Sequence, residues 1–222
     1  MSLILHIETS SKICSVALSQ NATLKAYIDR EEDNFIHGES LTLMIQDLLA
    51  SEDELLENLK AISFSAGPGS YTGLRIGLST AKGLCFALGI PLIAIATHKI
   101  LFEIASANAD LSNKNIIGLL DARRNEVYME VFNSKGETLR ELASVLLDNS
   151  DINPADKAIV VGDANFKAKS FWKNSDLLWI DEKLSAKYQV QFAYEAYNSR
   201  KFEDLAYANP IYLKGANGIL LK

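Results

Sequence analysis

Apolar residues come in short bursts along this chain, and their spacing alternates between the period of a strand and that of a helix. Leu3 to Glu8 is an almost unbroken apolar run, the pattern of a strand buried on both faces. Glu8-Thr9-Ser10-Ser11 is a polar turn. Cys14 to Ser19 then alternates, with Cys14, Val16 and Leu18 on one face and Ser15, Ala17 and Ser19 on the other. Gln20-Asn21 reads as a hairpin turn and Thr23 to Asp29 as a third strand. From His37 the spacing becomes helical, with Leu41, Met44 or Ile45, Leu48 and Leu49 on one side. Ser51-Glu52-Asp53-Glu54 has the form of a capping box opening a further helix, Leu55 to Leu59. Ala61 to Ala66 reads as a second buried strand. Gly67-Pro68-Gly69-Ser70 is dense turn punctuation. A helix follows, with Leu74, Leu78, Ala81, Leu84 or Cys85 and Leu88 at helical spacing. Leu92 to Ile95 is another strand, and Thr97 is placed to cap a helix from His98 to Ala107.

The second half is sparser in signal. The polar stretch from Asn108 to Asn115 places a domain boundary, giving domains of residues 1–108 and 109–222. Ile116 to Leu120 is a buried strand that ends in Asp121-Ala122-Arg123-Arg124-Asn125-Glu126. Val127 to Phe132 alternates, Asn133-Ser134-Lys135-Gly136 is a turn, and Ala158 to Val161 is another buried strand. Ala186 to Arg200 reads as a helix that, with the tail, packs back on the first domain. The order β-β-β-α-β-α-β-α followed by a β-rich half with helices is an α/β architecture.

Composition narrows the classes of function. The 222 residues carry a net charge of -6, which argues against a protein whose main task is gripping phosphate backbones with clustered Lys and Arg. The two cysteines, Cys14 and Cys85, sit in apolar runs without a CxxC or His/Cys cluster. They read as reduced core residues of a cytoplasmic protein. The first eight residues have no basic segment and reach a carboxylate too soon for a signal peptide. Gly83 to Ala96 is nearly all apolar, yet it is shorter than the ~20 residues a spanning helix needs, and Gly89-Ile90-Pro91 interrupts it.

Strand, glycine turn and helix N-terminus together leave backbone N–H groups where an anion can sit. The same residues serve a tight turn that needs glycine for positive φ. The spacing is not that of GxxxxGK[ST]. His6, His37 and His98 are not spaced as a metal pair, so no metal site is expected. Gly73, Gly77, Ala81 and Cys85 fall four apart and make one side of their helix smooth. That side either packs on the chain's own sheet or receives a partner's backbone.

Four blocks together resemble one family: Ile7-Glu8-Thr9-Ser10, the run from Gly67 through Tyr71 and Arg75 to Gly77, Asp121-Ala122-Arg123-Arg124-Asn125-Glu126-Val127-Tyr128, and Pro210-Ile211-Tyr212-Leu213. The chain is similar over essentially its whole length to the bacterial TsaB (YeaZ) family, most strongly in its first half. The resemblance implies a two-lobed actin-like ATPase (ribonuclease H-like) fold with mixed five-stranded sheets and flanking helices. It implies a role in making N6-threonylcarbamoyladenosine in tRNA, as the non-catalytic subunit that stabilises and activates a TsaD-type catalytic partner. It further implies a TsaE-type ATPase as a partner, tRNA met only indirectly and no membrane, and it leaves open whether the chain alone pairs with itself as a homodimer.

Two departures bear on catalysis. TsaD-like enzymes need a His pair for their metal, and only His37 stands in that region. Actin-like ATPases usually end the first strand in Asp, and this chain has Glu8, one methylene longer. The resemblance therefore implies no catalytic residue and degenerate phosphate loops at Glu8, Thr9, Ser10, Gly67, Pro68, Gly69 and Ser70. It implies no cofactor of its own, with weak ATP or ADP binding, or a nucleotide at the partner interface, left open. The partner interface is expected at Leu41, Met44, Ile45, Leu48, Tyr71, Gly73, Leu74, Gly77, Leu78 and Ala81, so that Gly77→Glu would break docking in a folded monomer. Arg75, Asp121, Arg123 and Arg124 are expected at the cleft between the lobes, Arg75 either near phosphate or paired with Glu8 or Asp121. The alternative function is an ATP-hydrolysing or phosphotransferase enzyme. The glycoprotease label of the older family name finds no metal site or Ser–His–Asp arrangement here.

Overall fold

The computed structural model describes residues 2–31, 37–148, 157–173 and 176–214, and of His37 and Glu39 the backbone only. The chain forms two compact units, Met1–Thr97 with Ser185–Tyr212, and His98–Leu184 with Leu213–Lys222. The first contains β1 (Leu3–Glu8), β2 (Ile13–Gln20), β3 (Thr23–Glu31), α1 (His37–Ser51), β4 (Ala61–Gly67), α2 (Tyr71–Leu88) and β5 (Leu92–Ala96). Its sheet has the order β3-β2-β1-β4-β5. The β1–β2 and β2–β3 pairs are antiparallel, and β1–β4 and β4–β5 are parallel. The second contains α3 (Thr97–Asn108, from His98 on), β6 (Ile116–Asp121), β7 (Glu126–Phe132), β8 (Thr138–Leu146), β9 (Ile159–Val161), α4 (Asn165–Phe171) and β10 (Leu178–Ile180). Its sheet order, β10-β9-β6-β7-β8, repeats the first with the same pattern of parallel and antiparallel pairs. The chain thus has the expected actin-like α/β fold of two mixed five-stranded sheets with flanking helices.

Every residue of β1 and β4 is buried, so both faces of the first sheet need a cover. Leu3, Leu5 and Ile7 share an apolar cluster with Leu41, Met44 and Leu48 of α1 and Leu78 of α2. The opposite face carries His6, Ser15, Ser19, Ser63 and Ser65, all buried. The segment that returns at Ser185 satisfies this polar face. It forms a 3-10 turn, Ala186–Gln189, then α5 (Val190–Asn198), where a single helix to Arg200 was expected. Gln189 accepts from Ser63 Oγ at 2.7 Å and donates to the Ile7 carbonyl at 2.9 Å. Since the Ser63 proton goes to Gln189, His6 Nδ1 donates to Ser63 Oγ at 2.7 Å, and His6 Nε2 accepts from Ser19 Oγ at 2.7 Å. The imidazole is neutral, and burial pushes it down to about 3. We expect Gln189→Ala to destabilise the first unit by about 3 kcal/mol, because it strands a buried hydroxyl and a buried carbonyl. Urea unfolding followed by far-UV circular dichroism measures it; an unchanged midpoint would contradict this role.

Three local expectations are corrected. Ser51 ends α1, its Oγ donating to the Leu48 carbonyl at 2.8 Å, and Asp53 is left-handed at φ 53°. Glu54 accepts from Lys25 Nζ at 3.0 Å and Asn58 Nδ2 at 2.9 Å. The supposed capping box is therefore a helix exit. Only a 3-10 turn, Leu56–Asn58, follows, and it buries no residue that could hold a longer helix. Thr97 is the first residue of α3, and its Oγ1 has no hydrogen-bond partner among the described residues. The strands β8 and β10 and the helix α4 carried too little periodicity to be anticipated. β8 is a mostly exposed edge strand, and β10 has three residues of which one is buried.

Candidate functional site

The two turns that the sequence marks as phosphate loops follow β1 and β4, which are parallel neighbours, so both lie at the same end of the sheet. They are bonded to each other. The Ser70 N–H donates to the Ser10 carbonyl at 2.6 Å. Thr9 Oγ1 donates to the Gly73 carbonyl at 2.8 Å, and the Thr9 N–H to Ser65 Oγ at 3.3 Å. Glu8 Oε1 turns back into its own loop and accepts from the Ser10 N–H at 2.7 Å and Ser10 Oγ at 2.5 Å. A Cβ on Gly69 would lie 2.4 Å from the Ser10 carbonyl oxygen, so the loops touch backbone to backbone. Ser70 caps α2, its side chain accepting from the Gly73 N–H at 3.2 Å. The Gly67-Pro68 peptide is cis, and behind it the Ile211 N–H donates to the Ala66 carbonyl at 2.6 Å.

These residues do not fit a nucleotide phosphate. An anion between the turns would have to displace the Ser70–Ser10 bond and would meet the buried Glu8 carboxyl and the Ser10 carbonyl, both acceptors. No group of three or more His, Cys, Asp and Glu placed to hold a metal is found among the described residues. The side chain of His37 lies outside what is described. Cys14 and Cys85 are buried and not joined in a disulfide, and burial pushes the Cys85 thiol up to about 12, away from reactivity.

The expected interface residues are largely inside the chain's own core. Leu41, Met44, Leu48, Leu74 and Ala81 have no exposed surface, and Ile45 and Leu78 are buried as well. Gly73 and Gly77 are also buried. The smooth stripe of α2 faces β1: a Cβ on Gly77 would meet Thr9 Oγ1 at 2.3 Å and Ile7 Cγ2 at 3.5 Å. Only Tyr71 of that set is partly exposed. The outward side of the two helices is different. It presents Leu43, 56% exposed, and Phe86, 82% exposed, together with Gly83, beside which a Cβ would meet open space.

Arg75 also departs from expectation. Its guanidinium lies 4.2 Å over the Tyr71 ring, and its Nε donates to Tyr212 Oη at 3.2 Å. The Tyr71 and Tyr212 rings are 4.8 Å apart. Among the described residues of the first unit its partners are these two tyrosines, and Glu8 is not one of them. The hydroxyl of Tyr212 raises its pKa further. This stack links the Gly67–Gly77 block to the closing Pro210–Leu213 block, two of the four stretches singled out in the sequence.

Asp121 closes the turn between β6 and β7. It accepts from the Arg123 N–H at 2.6 Å and from Lys167 Nζ, and its own N–H donates to Asp163 Oδ1 at 2.8 Å. Lys167 also donates to the Arg124 carbonyl at 2.7 Å, and Lys214 pairs with Glu126. Burial, then the charge of Arg124, lowers the pKa of Lys214. Arg123 and Arg124 are both left-handed, at φ 70° and 49°, and both are exposed. Sequence reasoning missed the His6–Ser63–Gln189 chain; its signal was polar residues recurring at every second position of apolar strands.

Residues 34–208 match the family model described as TsaD, tRNA N6-adenosine threonylcarbamoyltransferase. The chain is 32% identical to the tRNA threonylcarbamoyladenosine biosynthesis protein TsaB of Haemophilus influenzae over 225 residues, covering 95% of this chain and 93% of that protein. It is 33% identical to the Escherichia coli TsaB over 128 residues, covering 56% of this chain. There the match spans about half of the relative, 52% of its length. The solved structure of YeaZ from Pseudomonas aeruginosa superposes with a TM-score of 0.81 at 26% identity, covering 96% of this chain and all of that one.

Proposed function

The chain belongs to the TsaB family, and from that premise we propose that it is the non-catalytic scaffold subunit in the biosynthesis of threonylcarbamoyladenosine in tRNA. In this reading it docks a TsaD-type catalytic subunit and keeps it active, while a TsaE-type ATPase joins the assembly and the tRNA is handled by the partners. The observation that carries the proposal is the mutual bonding of the two phosphate-loop turns through Ser70 and Ser10, which leaves this chain's own loops unsuited to phosphoryl chemistry. A nucleotide near these turns would then need the partner's residues to hold it. Leu43 of α1 and Phe86 of α2 are exposed apolar side chains that a partner docking on these helices would cover.

Phe86→Glu tests this reading. The residue is exposed, so stability should change by no more than about 0.5 kcal/mol. Loss of an aromatic anchor should weaken docking by about a hundredfold. The measurement is binding of the purified chain to the TsaD-type protein of the same organism, with tRNA modification reconstituted alongside. Docking at undiminished strength would remove α2 from the interface. Turnover of ATP by the isolated chain with Mg²⁺, abolished by Glu8→Ala, would overturn the scaffold reading in favour of an ATP-hydrolysing enzyme.

A further inference from the structure

A second site lies in the first unit, at the opposite end of β4 from the glycine turn. Lys60 directly precedes β4 and Pro91 directly precedes β5, and these strands are parallel. The C-terminus of α5 closes over them. Together Lys60, Pro91, Tyr197, Asn198, Arg200 and Phe202 line a groove of about 410 Å³, within the roughly 300–1,000 Å³ of small-molecule sites.

Its chemistry is specific. Lys60 and Arg200 are exposed cations, and neither side chain has an ion-pair or hydrogen-bond partner among the described residues. In a chain of net charge -6, two cations without a charged partner among the described residues on one groove are chemistry that suits an anion. The acidic neighbours in sequence, Glu57, Glu195 and Glu203, do not line it. Tyr197 and Phe202 stand 6.0 Å apart with their planes at 59°, and Phe202 is 39% exposed. They offer apolar ring surface beside the cations. Asn198 adds an amide able to donate and accept.

The cations are not needed to finish the helix. The carbonyls of Glu195, Ala196 and Tyr197 already accept from the N–H groups of Ser199, Lys201 and Arg200. Arg200 occupies the left-handed position after the helix, at φ 53°, where glycine is the unstrained choice. Backbone of this kind clusters at ligand-binding and active sites.

We propose that this groove binds a nucleotide, its phosphate on Lys60 and Arg200 and its base against Tyr197 and Phe202. Charge-assisted contacts hold the phosphate, and an aromatic face accepts any base by stacking. The nucleotide is either free or an unpaired residue of an RNA strand. This goes beyond the scaffold reading and does not depend on it, since the groove shares no residue with the proposed docking face.

The isolated chain is titrated with adenosine monophosphate, adenosine, inorganic phosphate and penta-adenylate, by calorimetry and by NMR. Adenosine monophosphate should bind saturably and at least tenfold more tightly than adenosine or phosphate. Lys60→Ala and Arg200→Gly should each weaken it at least fivefold, and the urea midpoint of Arg200→Gly should hold or rise because glycine relieves the backbone. A purely structural Arg200 would lower that midpoint. Penta-adenylate binding more tightly than the monophosphate assigns the site to an RNA strand; equal or weaker binding assigns it to a free nucleotide. No saturable binding of either, phosphate binding as tightly as the monophosphate, or affinities indifferent to both substitutions would each overturn the proposal.

Discussion

Gly77→Glu should unfold the first unit. The new Cβ would stand 2.3 Å from Thr9 Oγ1, and the hydroxyl it displaces is the one bonded to the Gly73 carbonyl. The carboxylate beyond it would enter an apolar layer that includes Ile7 and Leu78, where an unpaired charge is costly. Overpacking and a buried charge together are expected to cost more than about 4–5 kcal/mol. That reaches the lower end of the roughly 5–15 kcal/mol typical of a domain. Gly77→Ala, which adds the clash without the charge, should cost about 1–3 kcal/mol. Urea unfolding followed by far-UV circular dichroism ranks the two. A Gly77→Glu chain that folds with a native midpoint and only fails to dock would restore the small stripe to the partner interface, and Phe86→Glu would then be the silent substitution.

Acid should destabilise both units well before ordinary carboxylates titrate. His6 in the first unit and His98 in the second are fully buried, and burial depresses them to about 3 and about 4. His98 Nε2 donates to the Tyr128 carbonyl at 3.2 Å. For both, the folded state stays neutral while the unfolded chain takes a proton below its ordinary value near 6.5. The unfolded state then binds more protons, so stability falls as pH falls. The loss runs from about pH 6.5 down to about 4 for His98 and to about 3 for His6. Each imidazole contributes roughly 1.4 kcal/mol per pH unit, so the two together remove about 5 kcal/mol by pH 4.5. Both tryptophans, Trp172 and Trp179, belong to the second unit, so their fluorescence follows His98 while far-UV circular dichroism follows both. His6→Asn should flatten the pH dependence of the first unit's midpoint by one proton's worth. An equal slope in wild type and variant would mean that His6 is already charged in the fold.

The fold was legible where elements are long and two-sided. β1, β4, β6 and α2 stand out because burial on both faces, or one clean helical stripe, leaves a period in the sequence. The short pieces of the second unit were not, since β10 and α4 are held by neighbours rather than by their own pattern. At the site, the four family blocks led to the residues that make the bonded turns and the Tyr71–Arg75–Tyr212 stack. Their roles were harder to read. Periodicity shows that Gly73, Gly77 and Ala81 share a face, but it is the same whether a partner or the chain's own β1 covers that face. Burial decided for β1. Arg75 suggested a phosphate or a carboxylate partner because charge suggests charge, whereas the structure sets it against two aromatic rings. The Lys60–Arg200 groove left no mark at all, because its members are far apart in sequence and each is unremarkable alone.

The first unit is discontinuous, and this bears on how the protein is made. Its polar face, with His6, Ser19 and Ser63, is satisfied by Gln189, which leaves the ribosome long after β5. At about 5–20 residues per second, the stretch from His98 to Ser185 takes roughly 5–20 s to synthesise. The nascent first sheet spends that interval with its serine and histidine face open to water, while residues 98–184 arrive as one continuous block. Assembly during translation therefore does not follow chain order: the unit that begins first cannot be completed until residues 98–184 have been made.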